Sequence, residues 1–309
     1  MAAEKEFHFP SSDGIHQCYA HLWLPEGQPK AVVQIAHGIA EYINRYEPFA
    51  RFLTEHGYAV CGADHLGHGN TAAPDNKFGW FAGHDGWTLV TADVRSLRVQ
   101  MGEQFPGLPY ILLGHSMGSF LTRTYLCRYP GTVDAAILSG TGQEPALMVA
   151  AGKTICSLLC RIKGSEHCSK FVYDFSLGAY NRQFRPNRTT ADWVCSDEAL
   201  VDAYLQDPFC TFIPTVGLMR DMLGSLQYIS NHHALSQMDK TIPVYLFSGD
   251  HDPVGQNGTG VRKVYDYFKH HGCTDVTMKL YPNGRHEMLN ESNKEEVWAD
   301  ILAWLEERL

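Results

Sequence analysis

Residues 111–131 read ILLGHSMGSFLTRTYLCRYPG and place Ser116 between two glycines, where an apolar run gives way to a helical pattern. A Gly-x-Ser-x-Gly string alone carries little weight, because ordinary glycine and serine usage produces one by chance in about one chain in ten of this length. Its setting carries more. Pro109-Tyr110-Ile111-Leu112-Leu113 is a short, bounded apolar run that suits a strand buried on both faces. After the serine, Met117, Phe120, Leu121, Thr124 and Tyr125 recur at helical spacing until Pro130-Gly131 stops the helix. Strand, sharp turn and helix is the geometry that presents a nucleophile. Glycines are needed there because flanking side chains would collide across so tight a turn, while Ser116 itself must accept an unfavourable backbone conformation. The helix that begins at Met117 also aims its free N–H groups and positive dipole end at the serine oxygen.

Outward from this stretch, strand-like and helix-like runs alternate along the chain, which predicts an α/β fold with a mostly parallel sheet covered by helices on both faces. The expected strands are 5–9, 16–24, 31–36, 58–63, 109–113, 134–138, 243–248 and 276–281, the first two forming a hairpin. Helices are expected around 45–56, 87–104, 117–129, 259–271 and 294–307. Between Gly140 and Ile242 the alternation breaks, and about a hundred residues read as helices and loops. The expected organisation is therefore a core made of 1–140 and 243–309, with 141–242 inserted as a helical cap that has its own small core and roofs a pocket.

Composition narrows the function classes. A chain of 309 residues with 44% hydrophobic content can bury one large core plus a lid. A formal charge of −9 argues against nucleic acid as a partner and offers no electrostatic help toward an anionic membrane. The segment MAAEKEFHFP lacks an apolar signal region, and no stretch is long and apolar enough to span a bilayer, so a soluble, cytoplasmic protein is expected. Nine scattered cysteines suit a reducing compartment, and none form a Cys-x-x-Cys pair. His65-Leu66-Gly67-His68 matches no familiar metal-ligand spacing and reads as a glycine-bent loop. No metal is expected. Asn187-Arg188-Thr189 and Asn257-Gly258-Thr259 match glycosylation acceptors in form only.

A serine nucleophile needs a base, an acid to orient it and donors for the oxyanion. In a strand-elbow-helix fold the order is Ser, then Asp or Glu, then His, with the partners on loops after late strands. PVYLFS is followed by Gly249-Asp250-His251-Asp252-Pro253, and VTMKLY by Pro282-Asn283-Gly284-Arg285-His286. His286 is the expected base. Asp250 and Asp252 both suit the acid, and Asp252 is preferred because the turn pinned by Pro253 carries it farther from its strand. The oxyanion donors are expected at the Met117 N–H and at the Ile39 N–H, where AVVQIA ends in His37-Gly38-Ile39.

These residues together resemble the α/β-hydrolase superfamily, and within it the monoacylglycerol lipase and lysophospholipase branch. The likeness rests on HGIAEYINRY (37–46), ADHLGHGNT (63–71), GHSMGS (114–119), SDEALVDAYLQDPFC (196–210), DHDPVG (250–255) and GRHEMLNE (284–291). It implies an eight-stranded sheet, Ser116, Asp252 and His286 as catalytic residues, and Ile39 and Met117 as the oxyanion hole. It also implies that Glu41, Arg45 and His115 form the polar end of the pocket, where a glycerol-like head group would lie. The position after the oxyanion donor, often glycine in relatives, is Ala40 here. The expected activity is cleavage of a single-chain lipid ester without a cofactor, monoacylglycerol first and a lysophospholipid or generic ester next. Contact with a membrane is expected to be at most transient, through the cap. Acyl transfer, aminopeptidase activity and non-catalytic ligand binding are the alternatives.

Overall fold

The computed structural model describes residues 3–309; Met1 and Ala2, part of the expected core segment, lie outside the described residues. Eight strands form one sheet: β1 (Ala3–Pro10), β2 (Gln17–Leu24), β3 (Val32–Ala36), β4 (Ala59–Ala63), β5 (Tyr110–His115), β6 (Ala135–Ser139), β7 (Val244–Gly249) and β8 (Val276–Tyr281). Their spatial order is β1-β2-β4-β3-β5-β6-β7-β8. The hairpin β1-β2 and the β2-β4 pair are antiparallel. Every pairing from β4 through β8 is parallel. All eight strands stand where the apolar runs predict them, within one or two residues at their ends.

The helices are α1 (Glu47–Glu55), α2 (Gly69–Ala72), α3 (Gly86–Gln104), α4 (Met117–Arg128), α5 (Ala146–Lys163), α6 (Lys170–Phe175), α7 (Leu177–Tyr180), α8 (Glu198–Gln206), α9 (Val216–Tyr228), α10 (His232–Ser236), α11 (Thr259–His270) and α12 (Lys294–Glu306). Alternation along β5 shows how the sheet divides its partners. Ile111 and Leu113 pack in a layer with Phe49 and Leu53 of α1 and Ile301 and Leu305 of α12. Tyr110 and Leu112 point to the other face, onto Leu97 of α3, Tyr125 of α4 and Val264 and Phe268 of α11. Each such aliphatic side chain, fully buried, contributes about 1.5–3 kcal/mol.

Between β6 and β7 the chain runs through α5 to α10 with no named strand among the described residues; its one isolated bridge pairs Cys168 with Thr215. Here α5 lies along α9, and Val149 and Cys156 join Met219, Met222 and Leu226 in a third apolar layer, which also takes in Met117, Phe120 and Leu121 of α4. Among the described residues no helix is long and apolar enough to cross a membrane. Because β3, β5, β6, β7 and β8 run parallel, their carboxyl ends share one edge of the sheet, and the loops leaving that edge carry the residues singled out from the sequence.

Candidate active site

The elbow begins with a strand that runs farther than its apolar run. β5 continues through Gly114 and His115 because these residues pair with Leu138 and Ser139 of β6. The chain then reverses at Ser116, whose φ of 53° and ψ of −120° lie in a region that non-glycine residues avoid. Its N–H donates to the Ser139 carbonyl at 2.9 Å, and its own carbonyl accepts from the Ser119 hydroxyl at 2.6 Å. The flanking glycines are required by close approach. A side chain at Gly114 would strike the Gly118 carbonyl, and one at Gly118 would strike the Ala36 carbonyl at the end of β3. The strained conformation is held because both backbone neighbours are occupied.

The loop after β7 brings in Asp252, and the loop after β8 brings in His286. Both carboxylate oxygens of Asp252 lie 3.0 Å from His286 Nδ1. Asp252 is fully buried and also accepts from the Ser248 hydroxyl at 2.7 Å and the Val254 N–H at 2.9 Å. Burial opposes its charge, yet the adjacent imidazole and these donors hold its pKa below the usual carboxylate value. Burial likewise opposes an imidazolium at His286, but the Asp252 carboxylate outweighs it and raises the His286 pKa above 6.5. A proton on Nδ1, donated to Asp252, leaves the Nε2 lone pair free, and Nε2 is buried with no hydrogen-bond partner among the described residues. Asp250 is placed differently. It is partly exposed, pairs with His251 at 2.6 Å and accepts the Asn283 N–H at 2.7 Å.

At the end of β3, His37 Nδ1 donates to the Gly38 carbonyl at 2.8 Å, and His37 Nε2 accepts the His65 N–H at 3.0 Å. In a planar trans peptide the N–H points opposite to the carbonyl, so tying down the Gly38 carbonyl directs the Ile39 N–H the other way. Among the described residues, no acceptor takes the N–H of Ile39 or of Met117. Gly38 stands against Ser116: a Cβ on it would lie 3.1 Å from the Ser116 Cβ. Ala40 occupies the left-handed region at φ 54°.

The structure places Glu41 and Arg45 in a buried ionic network. Arg45 donates to Glu41 at 3.0 Å and forks onto both oxygens of Glu287 at 2.7 Å, with the Tyr204 ring 5.0 Å away. Glu41 further accepts from the Tyr46 hydroxyl at 2.8 Å and from the Gly38 N–H. Burial raises the Glu41 pKa to about 7, against the pull of Arg45. Glu287, gripped by the guanidinium fork, stays well below the usual range despite its burial. His115 meets the Ser139 hydroxyl at 3.1 Å, and its ring lies 4.7 Å from that of His286. The loop histidines 65 and 68 are buried beside His37, and burial lowers both of their pKa values.

Glu287 and Ser248 were not singled out by sequence reasoning, whereas Trp193 belongs to the segment expected to roof the pocket. Glu287 follows His286 directly, but nothing local announces a partner 242 residues away. Ser248 stands four residues before Asp252 and reads as an ordinary strand residue. Trp193, an aromatic of the inserted segment, packs its ring 5.0 Å from His286. Beside the site, Phe120, Gly142, Val149, Met222, Leu226 and Val254 help to line an apolar groove of about 300 Å³ between α4, α5 and α9.

Comparison with known proteins bears on this geometry. Residues 27–293 match the family model described as serine aminopeptidase, S33. The chain is 29% identical to a monoacylglycerol lipase of Mycolicibacterium smegmatis, over 98% of each chain. It is 25% identical to the human monoglyceride lipase, over 97% of this chain and 90% of that one. Among solved structures it superposes with a TM-score of 0.93 and 28% identity on a highly thermostable carboxyl esterase from Bacillus coagulans in complex with glycerol, covering 99% of both chains.

Proposed function

The chain belongs to the serine aminopeptidase, S33, family of hydrolases with the α/β-hydrolase fold, and from that premise we propose that it is a serine esterase cleaving monoacylglycerol to a fatty acid and glycerol. Its coarser activity, hydrolysis of a carboxylic ester, follows from the family and its lipase and esterase relatives. The observation that carries the mechanism is the pairing of His286 with Asp252 through Nδ1, its Nε2 lone pair unclaimed and its ring 4.7 Å from that of His115, the residue just before Ser116 on its strained turn.

In the proposed reaction Ser116 Oγ attacks the ester carbonyl carbon while its proton passes to His286 Nε2. Negative charge gathers on the former carbonyl oxygen, where the Ile39 and Met117 N–H groups receive it; removing one such donor in comparable enzymes costs about 10²–10³ in rate. The C–O bond to glycerol then breaks, glycerol leaves with the proton from His286, and the acyl group remains on Ser116. Water, deprotonated by His286, completes the cycle. Asp252 holds the imidazole in the required tautomer and stabilises its cation. No cofactor enters this scheme.

Residues 141–242 form the cap in this reading, and the apolar groove beneath α5 and α9 accommodates the single acyl chain at about 0.8 kcal/mol per buried methylene. Glu41, Arg45 and His115 frame the polar end. The glycerol held by the B. coagulans esterase supports a glycerol-sized head group. An aminopeptidase would need a carboxylate free to meet a substrate ammonium, whereas Glu41 and Glu287 already share Arg45. The test compares monooleoylglycerol, trioleoylglycerol, a lysophospholipid and an aminoacyl amide in matched detergent dispersions, alongside fluorophosphonate labelling. Labelling at Ser116 with fastest turnover of the monoacylglycerol is expected. Equal or faster triacylglycerol cleavage would overturn the single-chain groove.

A further inference from the structure

Arg123 lies on α4, seven residues beyond Ser116, and is 2% exposed. It forms no ion pair among the described residues, and burial lowers its pKa to about 10. Its guanidinium spends its hydrogen bonds on neutral oxygens instead. Nη1 donates to the Gly142 carbonyl at 3.0 Å, and Nη2 to the Gln143 Oε1 at 3.0 Å and the Ile229 carbonyl at 3.5 Å. Gln143 continues the chain of contacts, donating to the Leu226 carbonyl at 3.5 Å and accepting on its own carbonyl from Gln256 at 3.4 Å.

The acceptors are not scattered. Gly142 and Gln143 are the residues through which the chain leaves β6 for the inserted helices, and Ile229 is the residue that ends α9 on the way back. One planar fork therefore joins the start of the inserted segment and the end of α9 to the helix that carries Ser116 at its start. Gly142, Gln143 and Leu226 also line the apolar groove, as does Phe120 on the same face of α4 as Arg123. A buried cation without a counterion is costly, and a guanidinium with several donors at fixed angles can hold three segments at once, which an ammonium cannot.

We propose that Arg123 is a positioning residue for acyl-chain selectivity: it fixes the groove wall at Gly142, Gln143 and Leu226 against the elbow helix, so that a bound chain delivers its ester to Ser116. The inference rests on the reading of the groove as the acyl site. It places Arg123 in neither the chemistry nor direct contact with the ester. Loosening the wall should weaken the binding that only a long chain uses, and a short ester should feel the change far less.

The experiment measures kcat and KM of the wild type, Arg123→Gln and Arg123→Lys on p-nitrophenyl acetate and p-nitrophenyl decanoate, with thermal melts and fluorophosphonate labelling of each. The expected result is a fall of about tenfold or more in the decanoate-to-acetate ratio of kcat/KM for Arg123→Gln, carried mainly by KM. Arg123→Lys keeps charge and bulk but loses the fork, and should fall in the same direction by less; it decides the matter if the glutamine variant does not fold. A wild type that discriminates by chain length, with variants that discriminate equally or lose both esters in parallel, overturns the proposal alone. A wild type indifferent to chain length, yet labelled at Ser116, overturns the groove reading and the proposal with it. Absence of labelling in the wild type refutes the serine mechanism instead.

Discussion

Two helices that border the apolar groove, α4 before the inserted segment and α5 within it, have opposite relations to solvent. In α4, MGSFLTRTYLCR, every residue from Met117 to Cys127 is buried, including Ser119, Thr122, Arg123 and Thr124. In α5, ALMVAAGKTICSLLCRIK, only Val149 and Cys156 are buried, while Leu147 is 82% exposed, Ile162 65% and Leu158 56%. The more apolar helix is the more exposed one. Burial here follows from what stands next to a helix: α4 is enclosed by the sheet, α3, α9 and the loop after β6, whereas α5 packs chiefly along α9 and borders the groove. Most polar residues of α4 are tolerated because they find acceptors: Ser119 with the Ser116 carbonyl at 2.6 Å, Thr124 with the Phe120 carbonyl at 2.8 Å and Arg123 with three oxygens, while the Thr122 hydroxyl is buried without a partner among the described residues. Around α4 the structure is over-determined and can hold Ser116 in a strained conformation; around α5 it leaves space for a ligand.

The contrast can be broken most directly at its centre. Ser116→Ala should abolish fluorophosphonate labelling and lower turnover by about 10³-fold or more, while its melting temperature stays near that of the wild type. More than a few per cent of residual esterase activity would mean that the strained turn serves something other than nucleophilic attack.

Next in size, Asp252→Asn should cost about 10³–10⁴ in kcat by removing the acceptor that fixes the His286 tautomer, whereas Asp250→Asn should stay within about tenfold. The same pair tests the pH dependence. His286 acts as a base only when neutral, and its pKa is raised above 6.5, so kcat/KM of the wild type should climb with pH through a limb above 6.5. In Asp252→Asn that limb should move down. An unmoved limb would detach the titration from His286.

Leucines from the two helices sharpen the comparison itself. Leu121→Ala on α4 removes a fully buried side chain and should destabilise by about 2–5 kcal/mol in denaturant unfolding, while Leu158→Ala on α5 should stay within about 0.5 kcal/mol. Similar losses at both would show that the outer face of α5 is covered in solution.

The smallest effect is expected at Ala40. Its φ of 54° makes Ala40→Gly relieve about 1 kcal/mol of left-handed strain, and the added freedom of glycine in the unfolded chain returns about 0.5–1 kcal/mol. The melting temperature should therefore shift by only a degree or two. A large shift would mean that the Ala40 methyl packs against something the loop depends on.

Much of this molecule was legible in one dimension. The eight strands, the hairpin, the five core helices and the break between β6 and β7 all follow from local periodicity, because a parallel sheet demands continuous apolar runs and its helices demand a 3.6-residue stripe. The pairing of Asp252 rather than Asp250 with His286 was also within reach, since loop length and Pro253 constrain where each carboxylate can go. What tertiary structure alone decided is everything that depends on partners distant in sequence. Arg45 meets Glu287 across 242 residues, Trp193 reaches His286 from the inserted segment, and Arg123 gathers Gly142, Gln143 and Ile229 around one guanidinium. The exposure of α5 belongs to the same class. Backbone geometry and hydrophobic period act between near neighbours and are written in the order of residues, whereas desolvation and charge pairing depend on which surfaces the completed fold brings into contact.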